Sequence, residues 1–185
     1  MTGSRRFSQA ISEGDGISLI ARVRSPEEAR AAEDAGAEGV AIVGPVGGLR
    51  ESTGLPVLWR TGGSPSAEAD ACVLGPGDGE RHEQVLALGL EPVVEVRHED
   101  ELELVLEQFD PEIFLLSGDG AEDDEEPLDR VLSLLPDLPA GKLAVAEVEV
   151  ATREDVVALE RAGVDAVLVE ADRVGSLVGG IPPEV

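Results

Sequence analysis

Apolar positions along this chain alternate between two periods, and residues 143–171, LAVAEVEVATREDVVALERAGVDAVLVEA, show the pattern most clearly. Valine-rich Leu143–Val150 predicts a buried strand. Thr152 then stands where a helix N-cap belongs, and Glu154 and Asp155 put negative charge in the first turn, where the helix dipole favours it. Val156, Val157, Leu159 and Ala162 form a stripe at helical spacing. Gly163 occupies the position after the helix that favours left-handed backbone, and Val164–Val169 predicts a second buried strand. Strand, helix and strand in this length make one parallel βαβ crossover.

The same grammar runs upstream. Residues 4–11 predict a short amphipathic helix, broken by Gly14 and Gly16. Ile17–Val23 is the first strand. Ser25 caps a helix that opens with Pro26 and ends at Ala35 before Gly36. Glu38–Val43 is strand two. Between Gly44 and Gly54 there is room for one helical turn, around Leu49–Ser52. Pro56–Arg60 is strand three, and Thr61–Asp70, rich in small and polar residues, predicts a loop. Ala71–Leu74 is strand four. Helix Glu80–Leu88 leads to strand five, Pro92–Val96, and helix Glu99–Gln108 to strand six, Glu112–Leu116. The acidic run 121–127 predicts a solvated loop before helix Leu128–Leu135. Strands seven and eight follow as above, with a last short helix over Asp172–Val178.

Eight strands, mostly alternating with helices, predict a parallel α/β fold. The count of eight, with no dinucleotide glycine fingerprint, favours a (β/α)8 TIM barrel over a doubly wound sheet, which stays the alternative. Such barrels typically take about 250 residues, and this chain has 185. The shortfall falls where the helices after strands two and three belong. The expectation is a reduced barrel of one domain over residues 1–185, with helices 2 and 3 shortened or missing and residues 1–16 forming a lead-in helix and linker. Shortened helices would bare apolar strand surface, which a second copy in a homodimer would cover.

Composition adds constraints. Hydrophobic residues make up 42% of the chain and the mean hydropathy is +0.01, as in a soluble globular domain. No apolar run reaches the roughly 18 residues of a membrane span. The N-terminal stretch has two arginines with no apolar segment after them, unlike a secretory signal, so a cytoplasmic location is expected. There are 39 acidic and 14 basic residues, a formal net charge of -25, and Lys142 is the only lysine. Such a surface repels nucleic acid and anionic membrane, so neither is expected as a partner. Acidic excess with almost no lysine resembles halophilic proteins, whose self-repulsion is screened by high salt. An arginine-biased proteome from GC-rich DNA is the competing explanation.

Few local motifs point to chemistry. Cys72 lies in a strand-like segment and reads as a small core residue. His82 and His98 stand at helix starts among acids and read as solvated. No His/Cys/Asp spacing suggests a metal site, and no cofactor is expected. Ser117-Gly118-Asp119-Gly120 lacks the lysine and pattern of a P-loop. Trp59 alternates with Arg60 and so points into the helix layer.

Several segments together carry a family resemblance. RRFSQAI followed by ISLIARVRSP, then LPVLWRT, EPVVEVRHEDELE and AVAEVEVATREDVVALERAGVDAVLVE, resemble indole-3-glycerol-phosphate synthase, a barrel lyase of tryptophan biosynthesis. The matches are collinear from Arg5 to Glu170. In that family a lysine on strand one and a lysine on strand three handle protons during decarboxylating ring closure. The matching positions here are Arg24 and Arg60, and a strand-one glutamate is Arg22. Strand five keeps its glutamate as Glu95, and strand seven keeps its own as Glu147. The strand-six asparagine is Ser117. After strand seven's carboxylate, a serine and a glycine are Val148 and Glu149. The glycine ending strand eight, part of the family's phosphate site, is Glu170.

The resemblance implies Glu95 and Glu147 as catalytic acid/base groups. It implies Arg22, Arg24, Arg60 and Ser117 as contacts for a small anionic molecule, with no metal or cofactor. Arginine keeps its proton to above about pH 12, so it clamps anions but is a poor general acid. Glu149 and Glu170 would set like charge against a phosphate. These departures argue against ordinary synthase activity. Two readings stay open: a lyase or isomerase-like descendant, or a non-catalytic barrel that binds a small anion or serves as a scaffold. In the second, arginines and glutamates satisfy one another at the mouth.

The charge count makes a first prediction. Thermal unfolding midpoints should rise between low and molar salt as self-repulsion is screened. A flat or falling series of melts would refute the charge argument.

Overall fold

The structure is a computed structural model that describes residues 5–60, 64–119 and 125–178. Thr61–Gly63 of the third loop, Gly120, and residues 121–124 of the acidic run lie outside the described residues. Eight parallel strands close into a barrel in chain order. They are β1 Ser18–Val23, β2 Gly39–Ile42, β3 Val57–Trp59, β4 Ala71–Leu74, β5 Glu91–Val96, β6 Ile113–Ser117, β7 Leu143–Glu147 and β8 Ala166–Glu170. Closure is explicit in β1, which pairs with both β2 and β8, and it excludes the doubly wound alternative.

The lead-in helix α1 spans Arg6–Ser12. The outer helices are α2 Pro26–Ala35, α3 Leu49–Ser52, α4 Gly79–Ala87, α5 Glu99–Gln108, α6 Pro127–Leu134, α7 Arg153–Ala162 and α8 Val174–Leu177. As expected, the helix after β2 is a single turn, and no helix occurs between β3 and β4 among the described residues. None of the helices is long and apolar enough to cross a membrane.

Helix ends follow local chemistry. The Ser25 hydroxyl accepts from Glu28 N–H at 3.2 Å. The Thr152 hydroxyl accepts from Asp155 N–H at 3.3 Å, while the Asp155 carboxylate accepts from Thr152 N–H at 2.8 Å, a reciprocal capping box. Gly36 and Gly163 close α2 and α7 at φ 106° and 103°, a left-handed conformation that costs glycine least. Two strand expectations need correction. β7 stops at Glu147, and Val148–Val150 leave the sheet; β8 starts at Ala166 and runs to Glu170. The apolar run was longer than the paired strand because Val148 and Val150 are buried without belonging to the ladder.

Strand alternation sorts the core into two layers. Outward residues such as Val23, Ile42, Trp59, Cys72, Val96, Leu116 and Val169 pack under the helices. Inward residues, among them Ile20, Leu58, Val73, Val93, Leu115, Val145 and Leu168, fill the barrel. Phe7 and Ile11 of α1 join this inner layer and close the N-terminal end of the barrel. α1 is held by its own backbone: the Glu91 carboxylate at the start of β5 accepts from Phe7 N–H at 2.8 Å and Ser8 N–H at 3.1 Å. Arg6 reaches Asp70 at 3.4 Å, and Arg5 pairs with Glu112.

The outer wall over β2–β4 is not bare, contrary to the expectation from missing helices. Val57, Trp59, Cys72 and Leu74 are all buried. Leu49, Ala69, Val46 and Leu55 belong to or pack against the same cluster. Arg50 of the one-turn helix fastens this cover. It donates to buried Asp70 at 2.5 Å and to the Leu55 carbonyl at 3.3 Å, and its own N–H donates to Glu68 at 2.9 Å. Asp70 also accepts from Val57 N–H at 2.8 Å, tying β3 to β4. Two loops and one arginine thus do what a helix does elsewhere in the wall.

Phe7→Ala should cost about 3–5 kcal/mol, the usual cost of emptying a fully buried aromatic site. Urea unfolding reads this directly. A loss below about 1 kcal/mol would show that α1 is an appendage and not part of the barrel core.

Candidate functional site

Inward positions at the C-terminal ends of the strands carry charge instead of hydrocarbon. The alternation that sends Ile20 inward also sends Arg22 inward; Leu58 is followed two residues later by Arg60, Val93 by Glu95, Val145 by Glu147 and Leu168 by Glu170. Closure of the barrel brings these five side chains to one mouth. Arg22 and Glu170 are direct neighbours in the β1–β8 register.

The side chains form one chain of ion pairs. Arg60 Nη2 lies 2.7 Å from Glu147 Oε2, and Arg60 Nε is 3.2 Å from both oxygens of the same carboxylate. Arg60 Nη2 also reaches Glu95 Oε1 at 3.1 Å. Arg97 Nη2 meets the same Glu95 Oε1 at 3.2 Å. Arg22 spans Glu147 at 3.2 Å and Glu170 at 3.3 Å. Arg24 approaches Glu170 at 3.6 Å. The order along the network is Arg24, Glu170, Arg22, Glu147, Arg60, Glu95, Arg97.

Burial is uneven. The Glu95 and Glu147 side chains are 10% and 11% exposed, whereas Glu170 is 46% and Arg24 80% exposed. Burial pushes the Glu147 carboxyl up, but hydrogen bonds and charge from Arg60, then from Arg22, outweigh it and hold the group below its ordinary value. For Arg60, burial disfavours the charge, yet Glu147, with the further charges of Glu95 and Asp119, raises its pKa. Both groups are therefore ionised at neutral pH.

The structure thus places Arg22, Arg60, Glu95 and Glu147 together, as their positions in the chain predict. Arg24 lies beyond the end of β1 and touches the network only through Glu170. Ser117 is fully buried in register with Glu147, and its hydroxyl accepts from Asp119 N–H at 3.2 Å. The glycine after it has a packing role: a Cβ on Gly118 would lie 2.8 Å from Pro127 Cβ and 3.0 Å from the Pro127 carbonyl. His82 is not simply solvated; it stacks on Phe109 with centroids 4.9 Å apart. His98 sits at the start of α5, 3.5 Å from Glu101. Cys72 is buried, as its segment predicts. Among the described residues no group of three or more His, Cys, Asp or Glu side chains is arranged to hold a metal ion.

Sequence reasoning missed one participant, Arg173, and left two others, Arg97 and Glu170, without their partners. Arg97 extends the network beyond Glu95, and its signal was the same two-residue step that links Val93 to Glu95. Glu170 enters as a partner of arginines, and strand parity with Leu168 gave the clue. Arg173, in the single 3-10 turn Ala171–Arg173 after β8, donates to the Ala151 carbonyl. It lines a cavity of about 410 Å³ at the mouth together with Arg22, Asp119, Glu147, Glu149 and Glu170. Among the described residues, five arginines (22, 24, 60, 97, 173) and five carboxylates (95, 119, 147, 149, 170) are gathered at or beside the mouth, equal in number. The chain as a whole is at -25.

The chain is 43% identical to the indole-3-glycerol phosphate synthase of Variovorax paradoxus (strain S110) over 44% of its own length and 30% of that protein's. It is 33% identical to the synthase of Alkaliphilus metalliredigens (strain QYMF) over 48% of itself and 35% of the relative. For the synthase of Geobacillus sp. (strain WCH70) the figures are 31% identity over 49% and 35%. The matched stretch spans about one third of the length of these curated relatives. No family model matches. The chain is a divergent, partial relative of the indole-3-glycerol phosphate synthases, built as a compact (β/α)8 barrel.

The depressed Glu147 pKa has a definite sign. The unfolded chain binds that proton more readily, so the stabilisation is complete above the ordinary carboxylate value of about 4.3 and is lost as pH falls through the lower, folded value. Glu147→Gln should cost about 3 kcal/mol at pH 7, because Arg22 and Arg60 lose a counter-charge. The variant should also lose stability less steeply in acid. Urea unfolding at pH 7 and in the acid limb tests both; identical acid slopes would show that Glu147 is not an ionised partner in the fold.

Proposed function

We propose that this barrel has left ordinary synthase chemistry and binds a small anion at its arginine-lined mouth without turning it over. One observation carries the reading. Among the described residues, the inward carboxylates Glu95, Glu147 and Glu170 are each engaged by arginine, and the positively charged groups there hold their protons too firmly to act as acids. Lys142, the single lysine, lies outside the mouth: it pairs with Asp110 at 2.8 Å, just before β7 begins. Decarboxylating ring closure, the chemistry implied by the resemblance, needs proton donors that release and recover a proton near neutral pH. Arg24 and Arg60 cannot supply this. Glu149 and Glu170 add charge that opposes a phosphate dianion. An anion, by contrast, suits guanidinium groups already gathered in one place on an otherwise acidic protein.

A second reading keeps the lyase lineage of tryptophan biosynthesis alive as an enzyme. Its support is the convergence of Glu95 and Glu147 on one arginine atom, Arg60 Nη2, at 3.1 and 2.7 Å. If substrate binding drew Arg60 away, Glu147 would keep Arg22 and Glu95 would keep Arg97, but each carboxylate would lose a stabilising charge and be freer to take up a proton. The enzyme reading then uses Glu95 and Glu147 as the acid/base pair, with Arg22, Arg24, Arg60 and Ser117 as substrate contacts.

An assay with the aromatic amino-sugar phosphate that synthases cyclise separates the two. The unmodified protein should show turnover at least about 10²-fold below an ordinary synthase, the minimum loss expected when a positioned general acid is removed. Arg24→Lys with Arg60→Lys should recover little by itself. Adding Glu149→Gly and Glu170→Gly should do better, because the opposing charge is then gone. Robust turnover by the unmodified protein would overturn the binding reading.

A further inference from the structure

We propose that Glu170 is a tethered internal anion. In the free protein it occupies the guanidinium groups of Arg22 and Arg24, and an incoming oxyanion displaces it. This rests on the anion-binding reading above and specifies how that site is regulated. The three carboxylates of the ion-pair chain are not equivalent. Glu95 and Glu147 are almost fully buried, and Glu147 is gripped by three contacts from Arg60 and one from Arg22. Removing either from its arginines would strand charge out of reach of water.

Glu170 differs in each respect. Its side chain is 46% exposed, its contacts are single and long at 3.3 and 3.6 Å, and one partner, Arg24, is 80% exposed. Pairs of this kind are worth little and exchange readily. Glu170 also stands at the end of β8, where the chain leaves the sheet, and it lines the 410 Å³ mouth cavity beside Arg22 and Arg173. When the carboxylate swings into solvent, Arg22 keeps Glu147 but exposes the donors that had faced Glu170.

Charge makes exchange the natural mode. The charges at the mouth balance among the described residues, and the protein as a whole is strongly acidic, so adding an anion to the intact network meets net repulsion from the rest of the chain. Replacing an internal carboxylate by an external one leaves the count at the arginines unchanged. Glu170 therefore sets a threshold: only an oxyanion that bonds Arg22 and Arg24 better than a loosely held glutamate gains entry. Carboxylate and phosphate groups share this chemistry, and bidentate geometry at a guanidinium favours either over a halide.

The test is titration of the intact protein with inorganic phosphate and, separately, acetate, in halide-free buffer. Binding is followed by 15N signals of the arginine Nε groups, which also report whether Arg22 is the site. Glu170→Gln should tighten binding by about fivefold or more, the worth of the pairs it abolishes. Glu170→Asp, too short to span both arginines, should tighten it partially. Glu103→Gln, an exposed change of equal charge on α5, should leave it unmoved. Tightening by phosphate alone would assign the ligand group as phosphate, and by acetate alone as carboxylate; both support the gate. Anion binding at Arg22 that is equal in the unmodified protein and Glu170→Gln would overturn the gate and leave the binding reading standing. No anion response at Arg22 in any variant would overturn the binding reading itself.

Discussion

The Arg60–Glu147 pair is the contact on which the mouth of this barrel depends. A closed parallel sheet gives inward side chains no exit sideways; they meet across the axis or reach up to the opening. Hydrocarbon solves the lower layers, where Ile20, Leu58, Val93, Val145 and Leu168 interdigitate. One step higher the same strands present Arg22, Arg60, Glu95, Glu147 and Glu170, and each charge brought near the core needs an opposite charge. Arg60 is suited to this because its fork engages two carboxylates at once, with three donor contacts to Glu147 and one to Glu95. The cost of desolvating these groups is offset only while the whole set stays together. The barrel's upper layer is in that sense a second core, made of charge.

The scaffold was legible in the sequence wherever a local rule acts alone. Ser25, Pro26 and Gly36 bound α2 at the expected residues, and Thr152 and Gly163 do so for α7. β4 and α5 likewise coincide with their apolar runs. Legibility fell where a residue is buried for tertiary reasons. Val148 and Val150 extend the valine run past β7 because they pack beneath the outer layer, not because the strand continues. The cover over β3 and β4 was also invisible in advance. Periodicity finds helices, whereas that cover is a pair of loops beside the one-turn α3, fastened by Arg50 of α3 to Asp70 just before β4, with no repeat to announce the pair.

The candidate site was half legible for a related reason. Strand parity alone puts Arg22, Arg60, Glu95 and Glu147 on the inner face, so their meeting follows once eight strands close. Parity weakens past the strand ends, although Arg60, just after β3, and Arg97, just after β5, still follow it. Arg24, though in phase with Arg22, stands in the turn and leans on Glu170 from outside. Arg173 comes from a turn after β8 and Asp119 from one after β6, where no period applies. Glu170 was visible as a residue but not as a partner. Its role emerges only from the β1–β8 register that seats it opposite Arg22.

Both ends of the barrel use carboxylates, yet to different ends. At the N-terminal side, Glu91, Asp70 and Glu112 receive α1: Glu91 takes two backbone N–H groups, and the other two take Arg6 and Arg5. Those contacts position a plug whose affinity for the barrel comes from Phe7 and Ile11. At the C-terminal side no apolar plug is present among the described residues, and there the charged layer itself closes the opening. An opening stoppered by hydrocarbon admits apolar ligands or none. An opening stoppered by mutually neutralised charges can admit an ion, since the guanidinium that lets go of one carboxylate accepts another at little net cost. Arginine makes that exchange available and, by never surrendering its proton, keeps it an exchange of partners and not of protons.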